Sequence, residues 1–306
     1  MPVHNDAAYL DECIQSTIHQ EYSNWEYCIV DDGSTDSSSS KLKKWSKTDK
    51  RIHYISCPHE GIVPALNTSA KMASGSIIAR MDADDIMHPK RLFEQVSFLN
   101  ENSEVGFIGS CFRHFSDAQN GFMPKWVIHH EEWSNRILSS EDIHNALFAE
   151  SPIAHPTFCM RKVVFDKLGG YHDSPWAEDY DFLLRAFKKR YTFYKYPKVL
   201  LLKRIRNNNL SKTDRIYKKP AMIKAKIHYL LNIGLIKSND KIVIFGSGTS
   251  GRQLAKGFLE KNIELKAFID NKEGPPNRKV MGYSARGFPK GIENYLLNEL
   301  KNCKLV

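Results

Sequence analysis

Short β-rich runs alternate with helix-periodic stretches through the first part of the chain, and two of those runs end in clusters of aspartate. The runs are "WEYCIV", "RIHYIS", "SIIARM" and "VGFIGSCF". Between and around them lie "AAYLDECIQSTIHQ", "KLKKWSKT", "VPALNTSAKMAS" and "KRLFEQVSFLNEN", whose apolar residues recur at helical spacing. Such alternation predicts an α/β fold, a mixed and mostly parallel sheet with helices on both faces. Ligands of these sheets sit beyond the carboxyl ends of the strands. Asp31 and Asp32 follow "CIV", and Asp82, Asp84 and Asp85 follow "IIARM", so both acidic clusters fall at that edge.

Each cluster has two readings. Asp82, Asp84 and Asp85 can cap the backbone amides of an acidic turn before the helix that opens after Pro89. They can equally offer carboxylate oxygens to a hard divalent cation, Mg²⁺ or Mn²⁺, which commonly takes one or two carboxylates plus substrate phosphates. Asp31 or Asp32 can serve ordinary turn chemistry, or accept hydrogen bonds from a ribose or a base N–H. A third constellation, "SPWAEDYDFLLRAFKKR", sets Glu178 and Asp179 at the start of an apolar helical pattern. Acids there face the positive end of the helix dipole. A carboxylate in that position can also act as a general base.

The chain of 306 residues is 42% hydrophobic, enough for two domains, and carries a formal net charge of +9. No segment has the apolar length of a membrane span, and no signal peptide is recognisable. Six scattered cysteines without a CxxC pair read as reduced thiols of a cytoplasmic protein. Much of the positive excess falls from Lys188 onward. It reads as solvated helix faces, or as attraction to a nucleotide, an anionic polymer or the inner leaflet of a membrane. Nucleic acid is not an expected partner.

Three stretches together resemble the bacterial family 2 of inverting glycosyltransferases. They are "MPVHNDAAYLDECIQSTIHQEYSNWEYCIVDDGSTDSS", "HEGIVPALNTSAKMASGSIIARMDADDIMHPKRLFEQVSFLNENSEVGFIGS" and "SPIAHPTFCMRKVVFDKLGGYHDSPWAEDYDFLLRAFKKR". The resemblance runs from Met1 to about Lys212 and implies the GT-A nucleotide-diphospho-sugar transferase fold. It also implies a UDP-linked sugar as donor and a glycan or lipid-linked acceptor in cell-surface polysaccharide assembly, and the basic region suggests a peripheral place at the inner face of the membrane. On this resemblance Pro2, Val3 and Asn5 lie along the nucleotide, and Asp32 or Asp31 contacts uracil or ribose. Asp82 touches the ribose or a metal-bound water, Asp84 ligates Mn²⁺ or Mg²⁺, and Asp179 of the Glu178-Asp179 pair takes the proton of the acceptor hydroxyl. His155 lines the acceptor or diphosphate side. The turn at Gly169-Gly170 sets the approach to the catalytic helix.

Two departures stand out. The family has a hydrophobic strand ahead of the segment equivalent to "MPVHN", so an in-frame upstream extension is expected. Many relatives carry a histidine near the diphosphate or metal where this chain offers Arg206 and Asn207.

Three segments are expected: a transferase domain over 1–212, a basic connector over 213–238 that reads as a helix or as a helix pair interrupted at Pro220, and a small, incomplete Rossmann-like module over 239–306. In that module "FGSGTSGRQ" places Gly246, Gly248 and Gly251 after a strand, with Asp270 ending the next one. That pattern suits a nucleotide turn and a ribose-binding acid. It keeps two alternatives open, an NAD(P)-dependent oxidoreductase and a non-catalytic nucleotide-binding module. Trp126, His129, His130 and Trp133 lie in a stretch that can shape the acceptor site.

Overall fold

The computed structural model describes residues 1–117, 123–206, 214–270, 278–287 and 303–306. Asn207 lies outside them. The chain divides into two compact units. The first comprises Met1–Ser174 and Glu178–Asn209, the second Pro175–Ala177 and Leu210–Val306.

In the first unit, β1 (Pro2–Val3), β2 (Tyr27–Asp32) and β3 (Ile52–Cys57) form a parallel sheet with β2 in the middle. All six β2 residues are buried, as a strand covered on both faces requires. A second, mixed sheet has the order β4-β7-β6-β8-β5, from β4 (Ile77–Ala79), β5 (Ile86–Met87), β6 (Val105–Phe115), β7 (Cys159–Arg161) and β8 (Thr192–Arg204). Here β6 and β8 run parallel, while β4 and β6 pair antiparallel with β7, and β5 antiparallel with β8. One core cluster serves both sheets. It joins Leu10 and Ile14 of helix α1 (Leu10–Ile18) to Ile29, Met81, Phe112 and Leu201.

The short β1 reaches only Val30 and Asp31 of its neighbour. The amino group of Met1 donates to the carbonyl of Cys28 at 2.6 Å, and burial pushes its pKa down to about 5. Beside it, a cavity of about 360 Å³ is lined by Met1, Tyr27 and Cys28 on one side and Ile77, Ile78 and Ala79 on the other.

Six further helices among the described residues of this unit are α2 (Ser38–Thr48), α3 (Ile62–Met72), α4 (Arg91–Glu101), α5 (Lys125–Arg136), α6 (Ser140–Ala146) and α7 (Lys162–Leu168). The eighth, α8 (Glu178–Lys188), carries the acids that the sequence marks as a candidate base. The turn ahead of it is held from two sides. Asn67 of α3 donates to the Tyr171 carbonyl and accepts from the Tyr171 amide, both at 2.8 Å. Arg185 of α8 donates to the carbonyls of Leu168 and Gly170.

In the second unit the described part of the basic segment carries one α-helix, α9 (Lys219–Asn232), one of the two forms expected of it. Pro220 sits in its first turn, where the missing N–H has no helical partner to lose. Strands β9 (Lys241–Phe245), β10 (Glu264–Asp270), β12 (Tyr283–Gly287) and β13 (Cys303–Leu305) run parallel in the order β12-β10-β9-β13. Strand β11 (Lys279–Val280) pairs antiparallel at the β12 edge. Counted in chain order among the described parallel strands, this is third, second, first, fourth, the order that the first four strands of a doubly wound sheet take. Helix α10 (Thr249–Leu259) connects β9 to β10.

Gly170 has φ +71°, and a Cβ there would lie 2.5 Å from the Asn67 side-chain oxygen. Gly170→Ala is therefore expected to cost about 1–3 kcal/mol of stability through strain and crowding. A urea melt of the variant checks this, and a change of a few tenths of a kcal/mol would show that the turn tolerates a side chain.

Candidate active site

The sequence puts acids after β2 and after β4, and the fold gives each set its own partners. At the end of β2, Asp31 accepts from the Ser34 amide and the Ser56 hydroxyl, both at 3.1 Å. Asp32 accepts from the amides of Glu60 at 2.8 Å and Gly61 at 3.0 Å, and lies 2.8 Å from His59 Nδ1. Both carboxyls are buried. Pro2 and Val3 lie beside this strand end through the β1 pairing. Asn5, at φ +57°, accepts from the amides of Thr35 and Asp36 and so latches the loop after β2. His4 stacks on His59, ring centroids 4.2 Å apart, and its Nδ1 is 2.7 Å from the Asp32 carbonyl. Neither histidine is singled out by the sequence, because they stand far apart along it and meet only once the strands pair.

The loop after β4 is where the charges concentrate. Carboxylate oxygens of Asp82, Asp84 and Asp85 all lie within 4.8 Å of one another. Carboxyls that close need opposite charge nearby or a raised pKa. Arg80, 6% exposed, pairs with Asp82 at 2.5 Å. Arg206 pairs with Asp84 at 2.7 Å and with Asp6 at 2.7 Å. Asp85 accepts from the Arg204 amide at 2.8 Å, and Arg204 donates to the Asp84 carbonyl at 2.8 Å.

These environments split the three acids. Burial works against ionising Asp82, yet the Arg80 charge and contact outweigh it and hold the carboxyl below its ordinary range. Burial and the Asp82 charge push Asp84 up to about 6 despite Arg206. Burial, Asp82 and Asp84 together push Asp85 well above the usual carboxylate range. Its Oδ2 is buried without a hydrogen-bond partner among the described residues. A cluster of oxygen donors with one buried oxygen left over fits a hard divalent cation.

His155 and the start of α8 complete the site. His155 Nε2 is 2.8 Å from the Tyr171 hydroxyl, and Nδ1 is 3.5 Å from Glu178 Oε1. Burial, with the Arg80 and Lys203 charges adding, holds this imidazole neutral well below its ordinary pKa. Glu178 is 2% exposed. Burial raises the Asp179 carboxyl above its ordinary range, against the Tyr180 amide at 2.7 Å and the charges of Lys203 and Arg80. Asp82 acts on Asp179 in the same direction as burial. Arg80 in turn feels Asp82 most strongly, then Tyr171 and Glu178. The loop after β4 and the start of α8 are thus within electrostatic reach of each other, with Arg80 common to both.

The model of the family described as "Glycosyl transferase family 2" matches residues 1–169, more than half of the chain. The chain belongs to that family. An uncharacterized glycosyltransferase of Haemophilus influenzae is 33% identical over 273 residues, 86% of this chain and 84% of that protein. The putative glycosyltransferase EpsE of Bacillus subtilis is 29% identical over 205 residues, 65% of this chain and 69% of that protein. Among solved structures, S. aureus TarS 1-349 in complex with UDP-GlcNAc superposes with a TM-score of 0.61 at 14% identity, over 84% of this chain and 70% of that one. A mannosyltransferase from Pyrobaculum calidifontis in complex with GDP-Man and Mn²⁺ gives 0.56 at 17% identity, over 85% of this chain and 67% of that one. The first unit of this glycosyltransferase therefore has the GT-A fold. Among the described residues, no helix is long and apolar enough to cross a membrane.

The glycine turn of the second unit has the local geometry that its sequence implies. Gly246 has φ +96°, and a Cβ on Gly251 would lie 1.8 Å from the Gly246 carbonyl oxygen, so α10 approaches the turn too closely for any side chain. Gly248 is the residue from which α10 starts. Asp270 is engaged by the Ser247 hydroxyl and lies 3.2 Å from Arg278.

The buried neutral His155 has a consequence for stability. In the unfolded chain a histidine takes up a proton near pH 6.5. The folded chain does not until far lower pH, so below about 6.5 the unfolded state binds the extra proton. Stability contributed at this position is therefore present above pH 6.5 and falls as the pH drops, by at most about 1.4 kcal/mol per pH unit. His155→Gln should flatten the acid limb of the stability profile relative to the parent protein. Parallel limbs in paired denaturant titrations between pH 4 and 7 would contradict this (about one proton is at stake).

Proposed function

We propose that the first unit transfers a sugar, with inversion, from a nucleoside-diphosphate donor to a hydroxyl group. The observation that carries this reading is the set of carboxylates after β4, whose oxygens lie within 4.8 Å of one another, with Arg80 and Arg206 paired to two of them. One group of carboxylates suits the diphosphate end of a donor. Another, raised by burial, suits a base.

In this mechanism Pro2, Val3, Asn5, Asp31 and Asp32 border the nucleoside. Asp31 and Asp32 hold the loops after β2 and β3 in place, so their part is to shape the base and ribose site through those loops. Asp84 and Asp82 would hold a divalent cation, Mn²⁺ or Mg²⁺, with Asp85 beside them. When bound, that cation offsets the negative charge that develops on the diphosphate as it leaves. Arg206, flanked by Asp84 and Asp6, offers a second positive charge on the same side. Asp179 accepts the proton of the acceptor hydroxyl as its oxygen bonds to the anomeric carbon. The bond from that carbon to the diphosphate breaks on the opposite face. The raised pKa of Asp179 makes it a stronger base than an exposed carboxylate. Glu178 and Tyr171 fix His155 and border the acceptor side.

The donor is read as a UDP-sugar and the acceptor as a glycan or lipid-linked sugar of cell-surface polysaccharide assembly, at the cytoplasmic face of the membrane. The basic excess of the chain supports such a location. The glycine turn at Gly246, Gly248 and Gly251, with Asp270, is read as a separate nucleotide site without a step in the transfer.

Nucleotide sugars screened with and without Mn²⁺ for transfer or donor hydrolysis test this function. Asp179→Asn is expected to lower kcat by about 10²–10⁴-fold, the usual worth of a general base, while nucleoside-diphosphate affinity stays the same. An Asp179→Asn enzyme that turns over normally would remove Asp179 from the mechanism.

A further inference from the structure

Successive side chains of a strand point to opposite sides, and the end of β8 uses both. Arg204 turns toward Glu12, Asp117 and the carbonyl of Asp84. Lys203 turns the other way, the side of Leu201, which packs in the core cluster with Met81 and Phe112. Lys203 is paired in register with His114 of β6, and the next amide along is bound by Asp85. Its position on the strand is thus next to both β6 and the acidic loop.

The Lys203 charge is felt by Asp82 and Asp85 of that loop, and by Asp179 and His155 across from it. It is also felt by His114 and by His130 of α5. Despite these neighbours, its ammonium forms no hydrogen bond and no ion pair among the described residues. The arginines nearby are differently placed. Arg80 is paired with Asp82, Arg206 with Asp84 and Asp6, and Arg204 with Glu12 and Asp117. Lys203 is half-buried on a rigid strand, and a lysine is a compact charge that suits phosphate oxygens.

We propose that Lys203, a cation without a hydrogen-bond or ion-pair partner among the described residues, binds one phosphate-type oxyanion of a substrate. The proposal rests on the transferase reading and adds a residue to it. Two substrates can present the oxyanion, the diphosphate of the donor or a phosphate carried by the acceptor.

Calorimetric titration with inorganic pyrophosphate, with and without Mn²⁺, tests the site directly. Lys203→Met is expected to weaken binding about tenfold, equivalent to about 1.4 kcal/mol. Lys203→Arg should restore most of it, which a merely structural role would not predict. Should Lys203→Met fail to fold, Lys203→Gln serves the same comparison. If the oxyanion belongs to the donor, nucleoside-diphosphate affinity falls to a similar degree and the KM for acceptor stays. If it belongs to the acceptor, the KM for acceptor rises and nucleoside-diphosphate affinity stays. Unchanged values for all three measurements overturn the proposal. A parent protein that transfers no sugar defeats the transferase reading instead, and the pyrophosphate titration still decides Lys203.

Discussion

The ion pair of Arg80 and Asp82 joins a cation buried beneath the acidic loop to the first acid of that loop. A guanidinium taken out of water is tolerable only with a carboxylate against it, and removing one partner of such a pair commonly costs about 3–5 kcal/mol. The pair does more than balance charge. It keeps Asp82 ionised, and an ionised Asp82 is one of the causes that raise Asp84, Asp85 and Asp179. One buried arginine thereby divides the acids of the site into one that holds its charge and others that resist it.

That division is what acid–base chemistry at neutral pH requires of neighbouring carboxyls. Asp82 and Asp84 are separated by a single residue, and their environments drive them in opposite directions. Asp179 is raised mainly by burial, a cause independent of any ion. His155 remains neutral for the same reason, and so presents a hydrogen-bonding ring rather than another positive charge.

The parts legible in the sequence were those whose signal is local. Six apolar or acidic letters are enough to mark β2 and its end at Asp32. Asp82, Asp84 and Asp85 stand together in the chain, and the Glu178-Asp179 pair announces the start of α8. Arg80 was equally close at hand but passed as one residue of an apolar run, since its burial depends on strands that pair from far along the chain. Lys203 and Arg204 were read only as part of a basic stretch. Their opposite directions follow from the register of β8 against β6, which no spacing within either segment reveals. His4 and His59 flank Asp32 for the same long-range reason. Pro220 leaves the sequence two readings, a helix or a helix pair, and its place in the first turn of α9 fits the first of them.

The position of Arg206 links these points. Its guanidinium is within 2.7 Å of the Asp84 carboxylate, the group on which a divalent cation would bind most directly. Both cannot take the same oxygen in full. A cation arriving at Asp84 must displace the guanidinium or share the carboxylate with it, and Asp6, also paired to Arg206 at 2.7 Å, can retain the displaced end. Tyr9, whose ring lies 4.9 Å from the guanidinium carbon, offers a further resting face. Arg206 thus has partners for either state, and a diphosphate entering with a metal would meet a cation that can move away from Asp84 without losing every contact. The acidic loop is balanced by arginines before any ligand arrives, so it can keep its carboxylates close together and stay folded.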